Sequence, residues 1–154
     1  MSRNPRRSLH SILLPAALAV ALAAASVAAE KDPIQARQDA MESVGASMKA
    51  LGSIARKESP FDAAVVRQNA ETIASRLEAA AELFPEGSDR GAIETWARPE
   101  IWANRADFEA LRTSAHAAAS DLAKVGDEAA YAPALGRLGN ACKSCHEKYR
   151  RPKE

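Results

Sequence analysis

Residues 127–150 read DEAAYAPALGRLGNACKSCHEKYR, and the fold turns on the periodicity inside this stretch. Tyr131, Leu135, Leu138, Cys142, Cys145 and Tyr149 follow one another at alternating intervals of four and three residues. A 3.6-residue period puts such positions on one narrow stripe of a helix, whereas a half-buried strand would alternate residue by residue. The stretch therefore predicts a helix with a single inward face, of the heptad-like kind that packs nearly parallel to its neighbours. Both cysteines of the chain lie on that face, and His146 directly follows the second.

Three further stretches carry the same pattern. The first runs from about Pro33 to Lys57, with Ile34, Met41, Val44, Met48, Leu51 and Ala55 on its stripe. The second opens with Ser59-Pro60-Phe61-Asp62, in which Ser59 suits an N-cap and Pro60 the first helical position. It continues through Val65, Ile73, Leu77 and Phe84 until Pro85 stops it. The third is expected from near Pro99 to Gly126, with Ile101, Phe108, Leu111, Ala115, Leu122 and Val125 inward. Short links join the first pair and the last pair, so each should be antiparallel. Between the pairs lies the turn-rich connection PEGSDRGAIETWAR, residues 85–98. The expected fold is all-α: an antiparallel four-helix bundle with one long connection between helices two and three.

The inward stripes are rich in alanine, and the chain has only 3 Phe, 2 Tyr and 2 Trp. Small side chains facing one another either let helices approach closely or leave a hollow that a planar cofactor could fill. Composition alone keeps both open.

The beginning of the chain has different chemistry. Arg3, Arg6 and Arg7 precede the apolar run ILLPAALAVALAAASV at 12–27, and Val27 and Ala29 are small residues ahead of a cleavage point. That is the layout of a secretory signal peptide, interrupted by Pro15 and too short for a lasting membrane anchor. Residues 1–29 are expected to be removed and residues 30–154 to form one domain. Of the 21 Lys and Arg the leader takes three and of the 20 Asp and Glu none, so the mature part carries 18 against 20. Such a balance offers no field for nucleic acid. Export also places the cysteines in an oxidising compartment.

Cys142, Cys145 and His146 form C-x-x-C-H. Positions three and four apart fall within one arc of roughly 100° on a helix. Two thiols one turn apart can each add to a vinyl group of a haem, and the adjacent imidazole then lies under the iron as axial ligand. Other chemistries compete for these residues. A zinc site needs four ligands, and His116 is the only other histidine beyond the leader. A thioredoxin-like dithiol belongs to a βαβ setting that this chain lacks. A disulfide between the two would tie down a single helical turn in an exported haem-free protein.

Taken with CKSCHEKYR at 142–150, the segments ARQDAM at 36–41 and PEIW at 99–102 make the chain resemble the class II c-type cytochromes, the cytochrome c′ family. The resemblance spans the whole expected mature chain and implies a four-helix bundle carrying one haem c, covalently held by Cys142 and Cys145 with His146 on the iron. It implies that Arg37 and Gln38 lie by the haem edge, where a guanidinium suits propionates, and that Arg150 lies near the imidazole. Gas-binding members carry an apolar residue, often leucine, three positions after that glutamine; a low-spin subgroup carries a methionine there as sixth ligand. Here the position is Met41, and AMESVGASMKALGSIARKESPFD at 40–62 is similar to the low-spin, cytochrome c-556-like subgroup. Met48 lies one heptad on, about 10.5 Å along the helix, so the two methionines cannot both reach one iron.

Two functions follow from the resemblance: a periplasmic one-electron carrier with His/Met ligation and no enzyme activity, or a five-coordinate binder of nitric oxide or carbon monoxide. Lys143, Lys148, Arg150, Arg151 and Lys153 form a basic cluster around the last helix. It is expected to steer docking to an acidic redox partner. Members of the family often dimerise through their first two helices, and a homodimer is left open here.

Overall fold

The computed structural model describes residues 32–152; the expected leader at 1–29 and Lys153 lie outside the described residues. Five α-helices follow in order: α1 Pro33–Ala55, α2 Ala63–Ala79, α3 Glu100–Ala103, α4 Arg105–Leu122 and α5 Glu128–Tyr149, with a 3₁₀ turn at Ala80–Glu82. Four are long, and α3 is a single turn leading into α4.

Local chemistry sets the ends. Asp32 caps α1 by accepting from the Ile34 and Gln35 amides, with Pro33 at the first position. The helix stops where Lys57 turns left-handed at φ 62°. At α2 the cap is Asp62 rather than Ser59: its Oδ1 accepts from Ala64 N at 2.7 Å and Val65 N at 3.2 Å. Ser59 instead pairs its hydroxyl with that of Ser53 at 2.8 Å. Pro60 and Phe61 thus stay outside the helix, and the Phe61 ring packs 5.7 Å from that of Tyr131. Val66, seven residues before Ile73 on the same face, is in the core, and the expected Val65 is exposed. The third expected helix is broken at Asn104, whose amide N–H and side chain both bond the Glu100 carbonyl, at 2.9 and 3.1 Å. A side chain competing for a helical carbonyl interrupts the turn, and α4 restarts at Arg105.

Side-chain contacts give the directions. Arg112 on α4 donates to Leu77 O near the end of α2, at 2.9 Å. Tyr131 at the start of α5 donates to Leu51 O late in α1, at 2.5 Å. Phe108 early in α4 meets Tyr149 at the end of α5, with centroids 5.4 Å apart. The helices α1, α2, α4 and α5 therefore run up, down, up and down.

Both possibilities raised by the alanine content are realised, at opposite ends. In one half Ala70, Ala74, Ala119 and Ala134 let the helices close around Leu51, Ile73, Leu122 and Leu138. Burial of each such leucine or isoleucine contributes about 2 kcal/mol. In the other half an aromatic group of Phe84, Phe108 and Tyr149 with Ile101 stands apart. Between the two the bundle is open.

Candidate functional site

The opening is a cavity of about 640 Å³ between the first half of α1, the ends of α2 and α5, the first half of α4 and residues 95–97. Its size is that of sites for cofactor-sized molecules. Cys142, Cys145 and His146 line it from α5, and Arg37, Gln38 and Met41 from α1. Every site residue expected from sequence is thus brought to one space. Met48 is not among the lining residues and packs instead against the closed half. His116 faces a separate groove between α2 and α4.

Both cysteines are free and half-buried. Burial raises the Cys142 thiol above its ordinary value, and it pushes Cys145 up to about 11, with smaller contributions from Cys142 and Asp107. His146 is pushed down, mainly by burial and then by the charge of Arg150. An imidazole kept neutral in this way has a free nitrogen lone pair, the form that binds a metal.

Arg37 is not the solvated helix charge that its position on a surface helix could suggest, because it is only 4% exposed. Its Nη1 donates to Ser88 Oγ at 3.0 Å, and its Nη2 to Ser88 O at 2.6 Å and Thr95 Oγ1 at 2.8 Å. The guanidinium also lies 5.2 Å over the Phe84 ring and 5.7 Å over that of Trp102. Burial lowers its pKa, opposed by the charges of Asp32 and Asp89. One donor remains: the buried Nε–H has no acceptor. A lining arginine with an unmet donor is what a carboxylate-bearing cofactor would find useful, and the paired thiols and neutral imidazole fit the rest of a haem. Gln38 donates from Nε2 to Glu94 O at 2.6 Å. No sequence signal marked Ser88 or Thr95; they are ordinary loop residues until the loop folds back on α1.

Tyr149 closes the cavity floor and donates to Asp107 Oδ2 at 2.5 Å. That bond pushes the phenol up to about 12, with burial adding to it. The folded state therefore holds the proton more tightly than the unfolded chain. The resulting stabilisation is present below the ordinary value of 10.0 and lost as pH climbs through about 12. A carbon-13 NMR titration of the tyrosine rings should show Tyr149 still protonated when a free tyrosine is half ionised. Asp107→Asn should bring its midpoint back toward the ordinary value.

Comparison with known proteins agrees with this geometry. The family model described as Cytochrome C' matches residues 32–150. A cytochrome c-556 from Agrobacterium fabrum is 39% identical, over 76% of this chain and 80% of the relative. A cytochrome c′ from Pararhodospirillum photometricum is 35% identical, over 76% of this chain and 94% of the relative. Among solved structures, cytochrome c′ from Rhodopseudomonas palustris superposes with a TM-score of 0.77 at 32% identity, covering 81% of this chain and all (100%) of that one. The family match takes in the whole bundle, from the cap of α1 to the residue after α5, and relatives of 30% identity or more cover most of the chain: the chain belongs to the cytochrome c′ family, whose members bind haem c.

Proposed function

We propose that this protein is an exported one-electron carrier, with haem c attached through Cys142 and Cys145 and with His146 and Met41 as axial ligands. The observation that carries this is the placement of Met41, rather than Met48, on the cavity wall that it shares with His146. When bound there, the haem supplies a one-electron couple whose potential is raised by thioether ligation. The chain's own part is to hold the two ligands and exclude water. The neutral, half-buried His146 offers its nitrogen. Val44, Leu77, Ala80, Phe84 and Phe108 all wall the cavity with apolar surface. The Arg37 Nε–H is free to donate to a propionate oxygen.

Removal of residues 1–29 on export to the periplasm is part of the same proposal, and no described helix is long and apolar enough to cross a membrane. With both axial positions filled there is no place for a substrate, which fits a carrier rather than an enzyme. The alternative, a five-coordinate binder of nitric oxide or carbon monoxide, draws support from the small side chains in the cavity lining, Ala80 and Ala115, which fill little of the space. Optical spectra decide between them. The carrier predicts low-spin bands in both oxidation states and only slow, weak binding of carbon monoxide by the reduced protein. High-spin bands with ready carbon monoxide binding would replace it with the gas binder.

Partner docking is expected to be steered less strongly than five basic residues suggest. Lys143 has Glu147 at 3.6 Å, Lys148 has Asp107 at 3.1 Å, and Arg151 has Glu94 at 3.4 Å. These exposed pairs cancel much of the far field. Arg150 forms no ion pair among the described residues. The electron-transfer rate to an acidic partner should fall with ionic strength with a slope matching fewer than five protein charges. A flat response would remove steering altogether.

A further inference from the structure

Residues 94–98 form a strap across the cavity, between two helices that have little direct contact with each other, α1 and α5. On the α1 side, Gln38 Nε2 holds Glu94 O at 2.6 Å and Arg37 Nη2 holds Thr95 Oγ1 at 2.8 Å. On the α5 side, Arg98 N donates to Tyr149 O at 3.0 Å and Arg151 N to Trp96 O at 2.8 Å. These flank an antiparallel bridge between Ala97 and Arg150. Thr95 is the joint: its hydroxyl oxygen accepts from Arg37 and also from Ala97 N, at 3.2 Å.

The strap has little slack. From Thr95 to Arg98 is a reach of at most about 11 Å of chain. Its α1 anchor, Arg37, is one helical turn from Met41, and its α5 anchor, Tyr149, is one turn from His146. Arg37 is also fixed from behind, through Ser88, to the part of the loop that precedes the strap. Buried groups joined by several hydrogen bonds hold a separation far better than exposed ones do.

We infer that Arg37 and Gln38 are positioning residues, which act through the 94–98 strap to set the separation of Met41 from His146. The strap thereby decides whether an iron held by His146 keeps a methionine as its second axial ligand. This rests on the His/Met ligation proposed above. A thioether is a weak ligand that binds only where the scaffold presents it at the right distance. Release of the strap leaves α1 without its tie to α5 at the level of Met41.

The test uses the haem-loaded protein and keeps Arg37 and Gln38 intact; Thr95 also lines the cavity, so Ser88, which does not, supplies the independent variant. Thr95→Val preserves shape and removes the accepting oxygen; Thr95→Ser preserves the oxygen. Ser88→Ala removes an Arg37 contact at a residue outside the cavity wall, and serves if Thr95→Val does not fold. Thr95→Val and Ser88→Ala should each raise the rate of carbon monoxide binding to the reduced protein about tenfold or more, the scale set by one buried hydrogen bond. High-spin bands should appear with them, and Thr95→Ser should stay low-spin. Hydrogen exchange at the Arg98 and Arg151 amides should quicken in the same two variants, independently of the haem spectrum. If both variants remain low-spin and slow to bind while Met41→Ala becomes high-spin, the strap does not set the spacing and His/Met ligation stands. If the unaltered protein is already high-spin, ligation and strap fall together.

Discussion

Met41→Ala is expected to turn a low-spin protein into a high-spin one that binds carbon monoxide. The substitution leaves the thioether attachment and His146 untouched, so the haem stays in place and only the second axial position opens. If Met41 occupies that position ninety-nine parts in a hundred, removing it raises the apparent carbon monoxide affinity about 100-fold. The reduction potential should fall at the same time, because a thioether raises it. Stability should change much less than ligation does, since Met41 is half-buried at the border of the two core groups and not inside either. Met48→Ala is the control: it packs in the closed half, and the spectrum should be unaltered. A Met41→Ala protein that kept its low-spin bands would show that another group holds the iron.

Changing Cys142 and Cys145 together to serine should abolish the haem-staining band that survives denaturation. The serine hydroxyls cannot form the thioethers, while the shape of α5 is nearly preserved. The bundle should also lose stability. A ligand present at a thousand times its dissociation constant contributes about 4 kcal/mol to the folded state, and a tethered one at least as much. At about 3 °C per kcal/mol for a domain of this size, the double variant should melt at least ~12 °C lower, by circular dichroism. A single substitution should leave one thioether and an intermediate melting temperature. Equal melting temperatures for the original protein and the double variant would mean that the cavity does not hold the cofactor in the bundle.

The parts of the site that were legible from sequence are those that share one helix. Cys142, Cys145 and His146 sit within five residues, and helix geometry alone puts them on one face. The bundle itself could be read from the alternating spacings of three and four, because stripe positions depend only on the helical period. Three helix details were misread for local reasons, one being the second helix, which ends at Ala79 and passes into a 3₁₀ turn before Pro85. Asp62 outcompeted Ser59 as a cap, and the Asn104 side chain broke the third helix. The second stripe runs through Val66 rather than Val65, yet the bundle is the one expected.

Other features needed partners distant in sequence. Arg37 reads as a charge on a surface helix until Ser88 and Thr95, 51 and 58 residues on, return to enclose it. Along the chain only Glu147 and Glu154 stand among the basic residues of the cluster, yet Asp107 and Glu94 reach it from other elements.

What the chain determined unaided was the set of helices, their inward faces and the thiol–imidazole trio, since each depends on neighbours within about two turns. Periodicity could not choose between Met41 and Met48, which occupy equivalent places on the same stripe. The resemblance singled out Met41, and the tertiary structure adds that Met41, and not Met48, lines the cavity. The helices close at one end through small alanines and part at the other around bulky aromatics, and a residue seven positions along is a full 10 Å or so from the gap.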